Sequence, residues 1–434
     1  MNDDQKRELE SYLELTEGDP PPVFVGRAEV LDDIARAAKQ VWKGTGSDKH
    51  GAAKTTRIIQ GAPGAGKSSI VNEIRQNSKR LYTEIVGKAP MVVALDSGKI
   101  HGPANILKPL AEKINPLKAQ EFMARITKNT SGEAGFGLGL FRFARKKETG
   151  IEHQVPDANW DTFGAWVEQY GGFDRPIVLA IDEAQRLDYD RQHPLAKLLQ
   201  SLHDGCGLPI ALVLAGLSDT EYSARKMDLN RIPPIQKHNI GCFPDCETRE
   251  FMARSCVHFG IDVAGYEDEI YRLAEPCDGW PRHLNIVLKA FAREALRTGG
   301  DLGKAEWERI CDEIKSGTDG YYGHQYSDEM EISINLTARV MAELDFCHSR
   351  AKIQDLMEEL HEADPRKYRL PAGIDADSFF IHLVHQGALH KESVDRFVCP
   401  IPSFRTYLLD RGGILENPTR ISGAVSSNDS SSPD

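Results

Sequence analysis

No apolar run in this 434-residue chain approaches the roughly 18 residues that a membrane-spanning helix needs, so no span is expected. Cysteine is sparse. The eight residues Cys206, Cys242, Cys246, Cys256, Cys277, Cys311, Cys347 and Cys399 are scattered without a dense framework. That excludes a disulfide-stapled secreted scaffold and suits a reducing compartment. Positive charge is in deficit, with 53 Lys and Arg against 65 Asp and Glu and a net charge of -12. A globally basic nucleic-acid coat is thereby excluded, though a local basic patch is not. The acidic start Met1-Asn2-Asp3-Asp4 lacks the basic and apolar regions of a signal peptide, and the expected location is cytoplasmic. No internal repeat is found.

What is present is an ordinary globular composition, 40% hydrophobic and 27% charged, in a chain long enough for two or three domains. Residues 1–21 are polar, end in Pro20-Pro21-Pro22, and read as an N-terminal arm or helix followed by a break. Short apolar runs then alternate with helical patterns. Residues 56–60, 91–96, 177–181 and 210–215 are strand candidates; 67–80, 102–114 and 159–170 are helix candidates. That alternation predicts an α/β domain over 22–244, with a parallel sheet covered on both faces. Residues 130–147 are glycine-rich and then basic, as a hairpin or surface insertion would be. From 245 to 316 the pattern is all-helical, with helices expected at 247–259, 267–275, 281–297 and 304–315. Residues 317–327 read as a linker. Residues 328–413 hold three helical stretches and a β-like return over 392–409, a winged-helix-like order, and 415–434 have the composition of a disordered tail.

Two motifs carry chemistry. Gly61, Ala62, Pro63, Gly64, Ala65, Gly66, Lys67 and Ser68, followed by Ser69, match G-x-x-x-x-G-K-[ST] without a mismatch. Glycines let successive backbone N–H groups curl round phosphates, and the helix that starts there adds its positive end. Lys67 would reach the β- and γ-phosphates, and the Ser68 hydroxyl would ligate Mg²⁺. ATP with Mg²⁺ is the expected cofactor pair. The second motif is the run from Ile177 to Ile181 ending in Asp182-Glu183-Ala184-Gln185. A buried strand places both carboxylates at its C-terminal edge, where open α/β sheets bind ligands. Asp182 would hold Mg²⁺, and Glu183 would orient and polarise the attacking water. Cys242 and Cys246, with Cys256 and His258, lack a further ligand pair at the spacing that a zinc site requires.

Phe24-Val25-Gly26-Arg27-Ala28-Glu29 precedes the phosphate loop. With the two motifs, this box makes residues 22–300 resemble the AAA+ ATPases of the origin-recognition, initiator-like clade, to which transposition-regulator and prokaryotic defence ATPases are related. The resemblance implies that Gly26 and Arg27 lie near the adenine. It implies a polar sensor at Ser218 or Asp219 after the strand 210–215. An arginine finger would come from Arg231, with Arg225 the competing candidate, and would reach a neighbouring subunit. Arg282, in Gly279-Trp280-Pro281-Arg282, would reach the γ-phosphate from the helical lid.

Two functions follow from the resemblance. One is an oligomeric ATPase that acts on DNA, with Arg142, Arg145, Lys146 and Lys147 as backbone contacts. The other is a signalling or anti-phage defence ATPase that controls a protein effector. Residues 320–413 hold ten Lys and Arg against fifteen Asp and Glu, which disfavours phosphate binding unless the charges segregate.

Overall fold

A computed structural model describes residues 1–15, 22–44, 55–79, 87–127, 158–230, 232–325, 327–344, 349–393 and 396–414. The basic insertion at 130–147, Arg231 and the tail at 415–434 lie outside the described residues. The chain divides into two compact units: Met1–Glu275 with Gly279–Cys311, and Pro276–Asp278 with Asp312–Asp434. No described helix is long and apolar enough to cross a membrane.

The first unit opens with α1 (Asp3–Glu14). The Asn2 side chain accepts from the Gln5 amide at 2.8 Å, and the Gln5 side chain accepts from the Asn2 amide at 2.9 Å, a reciprocal cap. Of the two readings of this segment, arm or helix, the structure has the helix, and it is docked. Leu9 and Tyr12 are buried. In chain order follow α2 (Ala28–Gly44), β1 (Arg57–Gln60), α3 (Lys67–Gln76), β2 (Met91–Asp96), α4 (Pro103–Ile114), α5 (Pro116–Thr127) and α6 (Trp160–Gln169). Then come β3 (Ile177–Asp182), α7 (Pro194–His203), β4 (Ile210–Gly216), α8 (Thr220–Lys226) and β5 (Lys237–Asn239). The unit's remaining long helices are α9 (Asp245–His258), α10 (Glu267–Ala274) and α11 (Pro281–Thr298).

Among the described residues, five strands form one parallel sheet in the order β2-β3-β4-β1-β5. Side chains alternate between faces along a strand, yet every residue of β1 and β4 is buried, so both faces are covered. The apolar runs of the sequence are this sheet. Its register also aligns the strand ends. Gln60 pairs with Gly216, and Asp96 pairs with Asp182. The turns that leave β1, β3 and β4 consequently open at one edge, where crossover connections put ligand sites.

β5 was not legible as a strand. Lys237-His238-Asn239 has no apolar signature, but it pairs with β1, and Gln60 Nε2 donates to the Asn239 side-chain oxygen at 2.8 Å. Beneath it lies an ionic cluster: Arg57 Nε donates to Asp33 at 2.6 Å, and His238 Nε2 lies 2.9 Å from the same Asp33 oxygen.

Of the expected linker at 317–327, residues 317–325 are instead helix. α12 (Trp307–Gln325) continues through Gly317, Gly320 and Gly323. Each interior glycine costs about 1 kcal/mol relative to alanine. Tyr321 and Tyr322 are buried, however, and the Tyr322 ring lies 5.2 Å from Phe404 and 4.8 Å from Tyr407. Burying aromatic side chains of this size outweighs the propensity cost. The second unit continues with α13 (Asp328–Ile332), α14 (Ile334–Glu343), α15 (Arg350–Ala363) and α16 (Ala376–His385). An antiparallel pair follows, β6 (His390–Ser393) with β7 (Arg396–Val398), and then α17 (Pro402–Arg411). The β-like return is thus limited to a hairpin that begins at His390. The second half of 392–409 is helix, with Pro402 in its first turn, where a missing N–H costs nothing.

Candidate functional site

The loop from Gly61 to Gly66 leaves β1 and closes into α3. Gly64 and Gly66 have φ of 85° and 95°, a region that residues with a Cβ rarely adopt. At Gly61 a Cβ would fall 2.4 Å from the Ile240 carbonyl oxygen, so the chain passes here only without a side chain. Gly61 N–H donates to the Gly216 carbonyl at 3.2 Å, tying the loop to the end of β4. Ala62 and Ala65 are buried, whereas Pro63, Ser68 and Ser69 are half-buried around the first turn of α3.

Lys67 is only 6% exposed, and its ammonium donates to the carbonyls of Gly61 at 2.9 Å and Ala62 at 3.0 Å. Burial pushes its pKa down, while the carboxylates of Glu183 and Asp182 pull it back up. Lysine and both acids therefore share one electrostatic site, although Lys67 opens α3 after β1 and the acids stand at the end of β3.

Asp182 ends β3 and accepts the Glu183 N–H at 2.9 Å. Glu183 itself sits in the left-handed region, φ 53° and ψ 35°, which is unusual for a residue with a side chain. Its carbonyl accepts the Ser97 hydroxyl at 2.7 Å. Its carboxylate accepts Gln185 Nε2 at 2.7 Å and lies 3.6 Å from the Arg186 guanidinium. Gln185 in turn accepts the Leu217 N–H at 3.0 Å, just before Ser218 and Asp219. Ser218 is buried, and Asp219 precedes α8, its carbonyl accepting the Ser223 N–H at 3.0 Å.

Gly26 and Arg27 reach the same region from the N-terminal side. Arg27 donates to the Gly241 carbonyl, lies 3.5 Å from the Ala65 carbonyl of the loop, and stands 4.7 Å from the centre of the Phe243 ring. Gly26, at φ 68°, abuts the Glu247 carboxylate, which a Cβ would meet at 2.2 Å. Arg282 lies in the first turn of α11, and its charge acts on the buried Tyr12 hydroxyl of α1. Arg225 is 65% exposed and pairs with Glu221 one turn back on α8. Arg27, Lys67, Asp182, Glu183 and the Ser218 turn are thus gathered at one sheet edge. Gly241 and Phe243 are members that spacing could not reveal, and the contact of Gln185 with Leu217 was equally hidden, because only the tertiary fold makes these contacts.

No family model matches the chain, and no curated protein matches its sequence. Solved structures do match its fold. The ADP form of the ORC2 protein of Aeropyrum pernix is 15% identical over 93% of this chain and 97% of that chain, with a TM-score of 0.53. The same protein in ADPNP-ADP complexes is 16% identical over 92% and 95%, with a TM-score of 0.51. A Walker-type ATPase of Pyrococcus abyssi is 17% identical over 92% and 99%, also at 0.51. With its five-stranded parallel sheet, phosphate-loop turn and following helical bundle, the chain has the fold of the AAA+ P-loop ATPases of the origin-recognition, initiator-like clade.

Proposed function

We propose that the chain is an ATPase that binds ATP with Mg²⁺ at the edge formed by the 61–68 loop and β3, and hydrolyses it as a conformational switch. The observation that carries this reading is the buried Lys67 ammonium, coupled to Asp182 and Glu183 from a neighbouring turn. A cation set in a glycine turn at a helix start answers a phosphate, and two acids beside it answer a metal and a water. The donor set fits Mg²⁺: a hydroxyl at Ser68 and a carboxylate at Asp182 are hard oxygen ligands. Bound there, the ion would neutralise charge on the transferring phosphoryl group. Glu183 orients the water, Ser218 or Asp219 senses the terminal phosphate, and Arg282 reaches it from the lid. In this scheme residues 22–244 bind the nucleotide, 245–316 form the lid and 328–413 form a winged-helix-like module.

The test is a nucleotide titration with turnover measured in parallel. Lys67→Ala should abolish ATP binding. Glu183→Gln should retain ATP and lose hydrolysis by a hundredfold or more, on the order of the loss when a group positioning the nucleophile is removed. Unaltered ATP affinity in the Lys67 variant would overturn the reading. Arg231, or Arg225 in its place, would complete the site of a second copy in an oligomer.

The favoured target is DNA. Four of the second unit's seven described arginines are spent on carboxylates, in Arg339–Glu343, Arg350–Asp377, Arg396–Glu392 and Arg411–Glu331. Arg366, Lys367 and Arg369, all exposed, form no ion pair with a described residue. Their loop is held in shape, since Asn335 donates to the Lys367 carbonyl at 3.2 Å and His361 Nδ1 lies 2.8 Å from that of Tyr368. This is the segregation of charge that a phosphate contact needs. The acidic balance of 320–413 supports the alternative, a protein effector controlled by the ATP state.

A further inference from the structure

Gln185 bridges two parts of the site, and the orientation of its side chain is fixed by chemistry. A backbone N–H can only donate, so the atom facing Leu217 N at 3.0 Å is the amide oxygen. The amide nitrogen then necessarily faces the Glu183 carboxylate, at 2.7 Å. A flipped amide would set nitrogen against N–H and oxygen against carboxylate, and would lose both bonds. The Gln185 backbone is held as well, because its carbonyl accepts the Ser223 hydroxyl of α8 at 3.0 Å. Nothing larger than hydrogen fits on the near side. A Cβ at Gly216 would lie 2.2 Å from the Gln185 amide oxygen and 2.3 Å from the Thr220 hydroxyl.

We infer that Gln185 is a positioning residue, a tether that fixes the Glu183 carboxylate to the end of β4 and leaves its other oxygen for the attacking water. The inference rests on the ATPase reading above and deepens it. Only one carboxylate oxygen is used by the tether, so the second is held at a set distance from Lys67 and from the Ser218 turn. A shift of Leu217 that accompanies phosphate sensing is passed through one side chain to Glu183. Gln185 touches no substrate in this scheme. It acts by limiting where Glu183 points, and misplacement of a reacting group by about 1 Å costs on the order of a hundredfold.

The experiment uses the full chain with three variants, Gln185→Ala, Gln185→Glu and Glu183→Gln. Turnover is measured against ATP concentration and pH, and amide exchange is read at Leu217. Gln185→Ala should lower kcat by about tenfold to a hundredfold with KM for ATP unchanged, and should speed exchange of the Leu217 amide. Gln185→Glu keeps an acceptor for Leu217 but sets one carboxylate against another, which only a shared proton can reconcile. Its turnover relative to wild type should therefore be lowest near about pH 8 and recover toward about pH 6, whereas the relative loss in Gln185→Ala stays flat. A merely structural role would lower thermal stability without that pH signature. The inference is overturned if Gln185→Ala turns over within twofold of wild type, if the ratio for Gln185→Glu does not change with pH, or if Leu217 exchange is unaltered. If wild type and Glu183→Gln are equally inactive toward ATP, the ATPase reading itself fails and takes the catalytic role of the tether with it. Leu217 exchange then still reports whether the bridge exists.

Discussion

The Tyr12 hydroxyl of α1 donates to the side-chain oxygen of Asn285, three residues beyond Arg282 on α11. The N-terminal helix is therefore bound to the helix that carries Arg282. The attachment is broader than one bond. Lys289 donates to the Leu15 carbonyl at 2.7 Å, Glu8 lies 2.9 Å from His258, and the Tyr12 ring sits 4.9 Å from that of Phe259.

Removing the Tyr12 side chain should loosen this attachment. It is nearly fully buried, so Tyr12→Ala is expected to cost about 3–5 kcal/mol, the usual range for deleting a buried aromatic. Urea unfolding followed by a probe on α11 measures it. Tyr12→Phe keeps the ring and removes the bond, and should cost about 1 kcal/mol. Equal losses in the two variants would mean that the hydroxyl, and not the packing, holds the helix.

The Arg57–Asp33–His238 cluster makes a second prediction. Burial alone would raise the Asp33 pKa, but hydrogen bonds from His238 and Arg57 outweigh it and hold the carboxyl below its ordinary range. Asp33→Ala strands a guanidinium whose side chain is 3% exposed, and should destabilise the fold by about 3–5 kcal/mol. Replacing the pair together, Asp33→Leu with Arg57→Met, should cost less than Asp33→Ala alone. Chemical denaturation of the three chains decides it.

His283, on α11, sets a pH limit on the first unit. Burial, with the neighbouring Arg282 adding to it, lowers its pKa from 6.5 to about 4. The unfolded chain takes up a proton before the folded one does, so stability falls as pH falls. The contribution is full above about pH 6.5 and is lost progressively toward pH 4, to a total on the order of 3 kcal/mol. Denaturant midpoints at successive pH values should show that slope, and His283→Gln should remove it. A slope unchanged in the variant would assign the acid sensitivity elsewhere.

If DNA is the target, the loop at 366–369 should set part of the salt dependence. Replacing Arg366, Lys367 and Arg369 by alanine removes up to three phosphate contacts. The slope of log affinity against log salt should then become shallower by about 3. Binding with an unchanged slope would exclude this loop from the interface.

The phosphate loop and the acids of β3 were legible because each is a local string whose chemistry demands its spacing. Four strands were legible because each carries an apolar run, from the whole of Ile177 to Ile181 down to the Ile58-Ile59 pair of β1. β5 was not, since Lys237, His238 and Asn239 become a strand only through pairing with β1. The glycines of α12 misled for the opposite reason: local propensity pointed to a linker, and the burial of Tyr321 and Tyr322 overrode it. In the site, Gln185 was visible as part of a motif but not as a bridge, because its partner Leu217 lies on another strand's exit.

The left-handed backbone at Glu183 carries a consequence for anyone who sets out to harden this molecule. A residue with a Cβ at φ 53° stores about 1 kcal/mol or more of strain, and glycine there would release it. A screen for heat resistance alone is therefore biased toward Glu183→Gly, which relieves the backbone but removes the carboxylate proposed above to orient the attacking water. Stability and turnover pull in opposite directions at this one position, so selection of tougher variants has to score both.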